Sequence, residues 1–454
     1  MSLLCEQLYS KVWDRQYMKW LEVSNSVPLR GTVKVQGSKN SSLALIVASC
    51  LAGDKVVIEN VPNISDIRIT GDLLRSTGAG VEFDNGTLEI DPTSICNAII
   101  SPDRSQYVRV SYYFLGALLA KQKCVAVGYP GGDKIGPRPM DQHIKGLIAL
   151  GADFTFYNDY YVVKADQLIG NEIYFDVITS GATINVMMAA VLAKGRTVIR
   201  NAARDPEVVD LAVFLNKMGA YITGAGTDTI KIRGVPALRG CTHQCIPDRI
   251  MSGSYLMAAG ITHGKISLSG AEPNHMGTCL DKLSEIGLAI THKNDLLTAE
   301  FCGILRAANV TTGMYPMFAT DFQQPVTSLL LKANGRSVVT ELVYPHRFSH
   351  CRQLNLMGAD IQLHHNAAYV EGVKQLHGAD VTATDIRSGM ALVMAAMGAH
   401  GTTRVFGVEH LERGFEDFVE TFTQLGANIR LVEEASGEDS QTELLDTVQT
   451  GSIA

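Results

Sequence analysis

Six segments of the chain are apolar on almost every side: SSLALIVASCLA, YYFLGALLA, INVMMAAVLA, SYLMAAGI, VTSLLLKA and GMALVMAAMGA. A helix with no polar face has to be buried among other elements, so these segments predict core helices. Each is soon followed by a short β-like run, DKVVIENV, CVAVGYP, RTVIRNA, KISLSGA, SVVTELV or TRVFGVE, and then by an amphipathic stretch. The amphipathic stretch ends each time in a similar signature: STGAGVEF, ALGADFTF, KMGAYITG, EIGLAITH, LMGADIQL or QLGANIRL. Its glycines are Gly78, Gly151, Gly219, Gly287, Gly358 and Gly426, spaced by 73, 68, 68, 71 and 68 residues. Glycine at the end of a helix supplies a left-handed cap, and the residues after it read as strands. The pattern predicts a sixfold repeat of an α/β unit.

A chain of 454 residues is too long for one ordinary core. Three units per domain is the natural division, with the break near residue 246, between the strand IKIRG and the segment CIPDRI. The expected domains are 39–246, carrying the loop 130–143, and 24–38 together with 247–432. An N-terminal extension (1–23) and an acidic flexible tail (433–454) complete the chain. The early strand PLRGTVKVQG is expected to pair with the last unit, so that two crossings form a double hinge over a cleft.

Composition narrows the chemistry. Lys and Arg number 39 against 46 Asp and Glu, a net charge of -7, which argues against nucleic acid or an anionic membrane as the general partner. Any anion site is therefore local. The nine cysteines are scattered, without a CxxC pair, and read as thiols of a reducing, cytoplasmic compartment. Cys241, His243 and Cys245 suggest a metal pair only faintly, because two further ligands are not evident. The charged N-terminus and the shortness of the longest apolar run predict a chain neither exported nor inserted in a membrane.

Charge is concentrated just ahead of the apolar helices, in QGSKN, SQYVR, TSGAT, PDRIMSG, ATDFQQP and ATDIRSG, which contain Lys39, Arg109, Arg249, Asp321, Asp385 and Arg387. Helix N-termini converging on a cleft favour anions; the plainer reading is that the Ser, Thr and Asp residues are N-caps. The loop PGGDKIGPRPMDQH holds Asp133, Lys134, Arg138, Asp141 and His143 among three glycines and three prolines. Such a loop is either a solvated surface or a mobile lid that delivers catalytic groups.

These pieces resemble the enolpyruvyl transferase family. The resemblance runs from about residue 27 to 432 and rests on GSKN, the PGGDKIGPRPMDQHIKGLIALGA loop, GATINVMMAA, NAARDPEVVDLAVFLNKMGA, GTDTI, PDRI, ATDFQ, HRFSH and ATDIRSGMALVMA. It implies a two-domain inside-out α/β barrel of six βαβαββ repeats, and transfer of the enolpyruvyl group of phosphoenolpyruvate to the 3-hydroxyl of UDP-N-acetylglucosamine, a step toward peptidoglycan. No metal or organic cofactor is implied, nor a nucleic-acid or membrane partner; a monomer or weak homo-oligomer is expected. Lys39, Asn40, Arg138, Asp385, Arg387 and Arg413 match the phosphoenolpyruvate site. Arg109, Arg138, Pro139, Met140, Asp141, Gln142, His143, Thr179, Ser180, Gly181, Asp321, Val343 and Arg347 match the nucleotide-sugar site. Asp321 looks like the base for the acceptor hydroxyl, and Lys39 and Arg413 look like catalytic cations. At position 133 most of the family has cysteine, the residue that the epoxide fosfomycin alkylates, whereas this chain has Asp133, which implies an aspartate proton donor and insensitivity to that drug. Thr179-Ser180-Gly181 stands where Ser-Val-Gly is usual. The alternatives are a relative acting on another nucleotide such as UMP, and a catalytically silent nucleotide-binding relative.

Overall fold

The computed structural model describes residues 17–133 and 135–435. Lys134, most of the expected N-terminal extension and nearly all of the expected acidic tail lie outside the described residues.

Among the described residues there are six four-stranded sheets, one for each repeat. In each sheet one edge strand runs parallel to the strand after a core helix, and two further strands join antiparallel. The fifth unit is typical: Asn309–Thr311 runs parallel to Arg336–Thr340, and the hairpin Asp360–His364 and Ala367–Glu371 completes the sheet. All six signature glycines have positive φ, between 87° and 117°, a region that side chains with a Cβ avoid.

Two units borrow strands from the N-terminal part of the chain. Among the described residues the sixth contributes only Asn428–Ala435 after its glycine, and Tyr17–Ser24 supplies the missing partner, with Leu21 opposite Leu431 and Val405. The reading of 1–23 as an extension is therefore corrected from Tyr17 onward. Trp20, Leu21 and Val23 are buried there, and the charged Lys19 and Glu22 between and beside them dilute that apolar character in the sequence. The strand PLRGTVKVQG also finds a different partner from the one expected. Its Arg30–Lys34 runs parallel to Lys265–Ser269 of the fourth unit. That edge is open because Thr242–Gln244, the strand just before the fourth unit, pairs instead with Val56–Glu59 of the first.

Among the described residues the buried apolar core forms two clusters. One runs from Leu43 to Cys245; the other joins Leu21–Val35 to residues between Ile250 and Ile429. The core helices are as enclosed as their sequences require: every residue of Arg249–Ile261 and of Ile386–Met397 is buried. Close approach depends on small residues. A Cβ on Gly116 would lie 2.2 Å from the Asn185 carbonyl oxygen, so the helices Tyr113–Gln122 and Ser180–Ala190 meet only because Gly116 has no side chain. No helix among the described residues is long and apolar enough to cross a membrane.

Among the described residues the thiols are unpaired, and His243 is turned into the core, 2.8 Å from Asp210. Cys245 lies 3.2 Å from the Ser42 hydroxyl.

Candidate active site

The chain crosses between the two clusters at 36–38 and 246–248, and there two core helices share a cap. Asp248 accepts from the Ile250 and Met251 amides of its own helix at 2.9 and 2.8 Å, and its second oxygen accepts from the Lys39 amide at 3.1 Å. Ser38 and Asp385 likewise cap the helices that follow them. Capping thus accounts for the backbone at these three helix starts, as the plainer reading held. The opening of Ser180–Ala190 differs: Thr179 makes no side-chain cap, and Thr179, Ser180 and Gly181 line a cavity.

That cavity, of about 850 Å³, lies between elements of the two clusters. Lys39, Asn40, Arg109, Asp133, Arg138, Pro139, Asp141, Gln142 and His143 line it from one part of the chain, and Asp321, Val343, Arg347, Arg387 and Arg413 from the other. Two sequence-selected residues stand behind the wall. Met140 packs against the first core. Asp385 is buried, accepting from the Arg387 and Ser388 amides and reaching Arg347 at 3.5 Å.

At one end of the cavity Lys39 Nζ lies 2.7 Å from Asp66, and Arg413 Nε lies 2.8 Å from the other oxygen of that carboxylate. Arg413 also reaches Asp133 through a second guanidinium nitrogen, and His410 Nδ1 lies 2.9 Å from the same Asp133 oxygen. Burial pushes the Lys39 ammonium below its usual value, with Asp66 opposing. Burial raises the Asp66 carboxyl, but Lys39 and Arg413 outweigh it and hold the group low. Asp133 is also held low: burial again opposes, and the His410 hydrogen bond with the charges of Arg413, His410 and Lys39 prevails. Asp66 and His410 were not singled out by sequence. Asp66 sits in an ordinary amphipathic helix, Ser65–Ser76, and only its burial marks it.

A second cluster surrounds Asp321. Arg347 and Arg387 lie 2.7 and 3.3 Å from its two oxygens. Burial acts to raise this carboxyl, but the two guanidiniums hold it far below the usual carboxylate range. Buried Glu341, also missed in the sequence, braces the neighbouring segment by accepting from the Val343 and Tyr344 amides at 2.7 and 3.0 Å.

Between the clusters Arg138 and Arg347 stand over the Tyr344 ring, 5.6 and 5.9 Å from its centroid. Arg109 donates to the Arg138 carbonyl. Arg138 Nε is buried with no hydrogen-bond partner among the described residues; a buried guanidinium donor left unpaired is costly, which suits a group kept for an incoming acceptor. Arg249 is held differently, by Glu207 at 3.2 Å and Asp205 at 3.4 Å. Asp205 also accepts from the Ser180 hydroxyl at 2.8 Å. His143 is buried against Tyr112 with Nδ1 3.1 Å from Asn185, and burial drives its pKa down to about 3. A neutral imidazole is a hydrogen-bonding wall, not a charge.

The arrangement is that of a cleft enzyme for a multiply anionic ligand, with cations at both ends and a nearly buried carboxyl, Asp133, held among them. The chain belongs to the EPSP synthase (3-phosphoshikimate 1-carboxyvinyltransferase) family of enolpyruvyl transferases, which it matches over residues 23–422. It is 46% identical to UDP-N-acetylglucosamine 1-carboxyvinyltransferase 2 of Geobacillus kaustophilus (strain HTA426) over 88% of this chain and 94% of that protein. It is 44% identical to the protein of the same name from Listeria monocytogenes serotype 4b (strain F2365), over 88% of this chain and 95% of that one. Among solved structures, the enolpyruvyl transferase NikO from Streptomyces tendae superposes with a TM-score of 0.84 at 25% identity, covering 92% of this chain and 99% of NikO. EPSP synthase from Acinetobacter baumannii shares the fold, with a TM-score of 0.70 at 18% identity over 91% of this chain and all of that one.

Proposed function

We propose that this enzyme transfers the enolpyruvyl group of phosphoenolpyruvate to the 3-hydroxyl of UDP-N-acetylglucosamine, releasing phosphate, as a cytoplasmic step of peptidoglycan precursor synthesis. The high identity to relatives carrying that name supports the reaction. The observation that carries the assignment of roles is the contact of Asp133 with Arg413, which also shares Asp66 with Lys39.

Lys39, Arg138 and Arg413 present cations for the phosphate and carboxylate of phosphoenolpyruvate through charge-assisted bonds. Asp133 delivers a proton to the methylene carbon, which leaves positive charge on the carbon bearing the phosphate. The acceptor hydroxyl adds there. Its proton turns strongly acidic as its oxygen bonds to that carbon, so even a carboxylate held as low as Asp321 takes it, and Asp321 gives it up again when phosphate leaves as hydrogen phosphate. Loss of a proton from the new methyl group then expels phosphate and restores the double bond. The opening of Ser180–Ala190, with Arg109, His143, Val343 and Arg347, forms the nucleotide-sugar wall.

Phosphate release from phosphoenolpyruvate with a panel of nucleotide sugars tests the reading. Release with UDP-N-acetylglucosamine supports it. Release with UMP alone would assign another acceptor, and no release with any acceptor would make the protein a silent relative.

The two core clusters with their strand exchange motivate a second expectation. We propose a domain of 39–246 and one of 24–38 with 247–432, closing over the acceptor. Small-angle scattering is expected to show a smaller radius of gyration once the UDP-sugar binds. An unchanged radius with ligand demonstrably bound would sink the idea of closure.

A further inference from the structure

Resting on the reading of Asp133 as proton donor, we propose that His410 is the positioning residue that supplies its proton, passing it from imidazole Nδ1 to Asp133 Oδ1 and taking it back when phosphate leaves.

The geometry is direct. His410 lies on the short helix Val408–Glu412 of the second core, and its Nδ1 is 2.9 Å from the Asp133 oxygen that Arg413 also contacts. The two side chains differ in access to water. That of Asp133 is 9% exposed, whereas that of His410 is 25% exposed, so the imidazole can exchange protons with solvent on behalf of a carboxyl that is nearly enclosed.

The chemistry needs such a partner. A carboxyl beside Arg413 and Lys39 is ionised in the resting site, yet it must be neutral to donate. With the proton on His410 the pair is imidazolium and carboxylate. The negative charge of bound phosphoenolpyruvate favours the neutral carboxyl. The Nδ1–H bond then breaks as an O–H bond forms, leaving neutral imidazole. In the next step that O–H bond breaks as the substrate's methylene carbon gains its proton. When the C–O bond to phosphate breaks, phosphate departs with the electron pair, Asp133 removes a proton from the methyl group, and His410 recovers it. The pair ends the cycle as it began, and no other reactant is consumed.

The surrounding charges are consistent with a proton held at this point. His410 is raised above its ordinary value, chiefly by the Asp133 hydrogen bond, with burial opposing and the charges of Asp133 and Glu409 assisting against Arg413. On its own helix Glu412 is engaged by Lys19 from the strand Tyr17–Ser24. Facing Asp133 are Arg413, which pairs with Asp66, and Lys39, which feels Arg387 behind it. Because the imidazole value is raised, the proton is retained to higher pH, and turnover that depends on it is lost as pH rises through that raised value.

The test uses the full chain with phosphoenolpyruvate and UDP-N-acetylglucosamine. His410→Asn keeps an N–H donor near the Nδ1 position but cannot titrate. It is expected to lower kcat by about 10²-fold, to leave both KM values within about threefold, and to move the basic limb of the kcat–pH profile to lower pH. His410→Ala, checked for folding by circular dichroism, is expected to regain part of its turnover with added imidazole. Wild-type kcat with an unmoved basic limb in His410→Asn would overturn the proposal. Asp133→Asn run alongside separates the two readings. If it turns over fully, the proton-donor assignment itself fails; if it is inactive while His410→Asn is normal, only the role of His410 fails.

Discussion

Asp133→Asn is expected to lose turnover by about 10³-fold or more while still binding the acceptor, within the upper part of the range for removal of a general acid. The amide matches the carboxylate in shape and still accepts a hydrogen bond, so the contacts with His410 and Arg413 survive; only the transferable proton is gone. The wild-type group starts from an unfavourable position, because a free Asp titrates near pH 3.9 and Asp133 is held lower still by His410 and Arg413. Two anionic groups on the substrate and the exclusion of water act in the opposite direction. The side chain of Lys134, which the sequence places next to this group, lies outside the described residues. The same reasoning predicts the drug response. A carboxylate is a much poorer nucleophile toward an epoxide than a thiolate, so the wild type is expected to be insensitive to fosfomycin, and Asp133→Cys to combine activity with time-dependent inactivation. Turnover assays after preincubation with the drug decide the matter: rapid inactivation of the wild type would sink this reading, as would full turnover by Asp133→Asn.

Arg413→Ala is expected to act mainly through phosphoenolpyruvate. Removing one cation from an enclosed anion site costs roughly 2 to 4 kcal/mol of transition-state stabilisation, equivalent to a drop in kcat/KM for phosphoenolpyruvate of about thirtyfold to a thousandfold. A second cost adds to it. Asp66 is buried between Lys39 and Arg413, and taking away one partner leaves a buried carboxylate half-compensated, which is destabilising in itself. Thermal unfolding measured beside the kinetics separates the two: Asp66→Asn with Arg413→Ala should recover stability without recovering kcat/KM. Normal phosphoenolpyruvate dependence in Arg413→Ala would remove that residue from the site.

The proposed roles of the charged residues could be read at two different depths. Lys39, Arg138, Arg387 and Arg413 were visible because they interrupt apolar or glycine-rich segments whose motifs are distinctive. Asp66, Glu341 and His410 were not, since each stands in a stretch with the composition of an ordinary surface element. Their burial is decided by what packs over them. Arg249 shows the converse: its position before an apolar helix suggested an anion site, and in the fold its guanidinium is already held by Asp205 and Glu207.

By itself the sequence determined the local architecture: six core helices, because a segment apolar on all sides has nowhere to go but inside, and six helix ends, because a glycine there is free to take positive φ. It also determined the stock of charge available near the helix starts. Only the tertiary structure decided which strand closes which sheet. Tyr17–Ser24 and Arg30–Lys34 are short β-like runs whose local pattern suits any open edge, and pairing across more than two hundred residues is settled by which edge remains unfilled. The same holds for the site, where Asp133 and His410 come from distant parts of the chain and meet only because the two cores bring loop and helix together. A contact of that kind leaves no trace in either local sequence, since its energy depends on the distance and burial that the whole fold imposes.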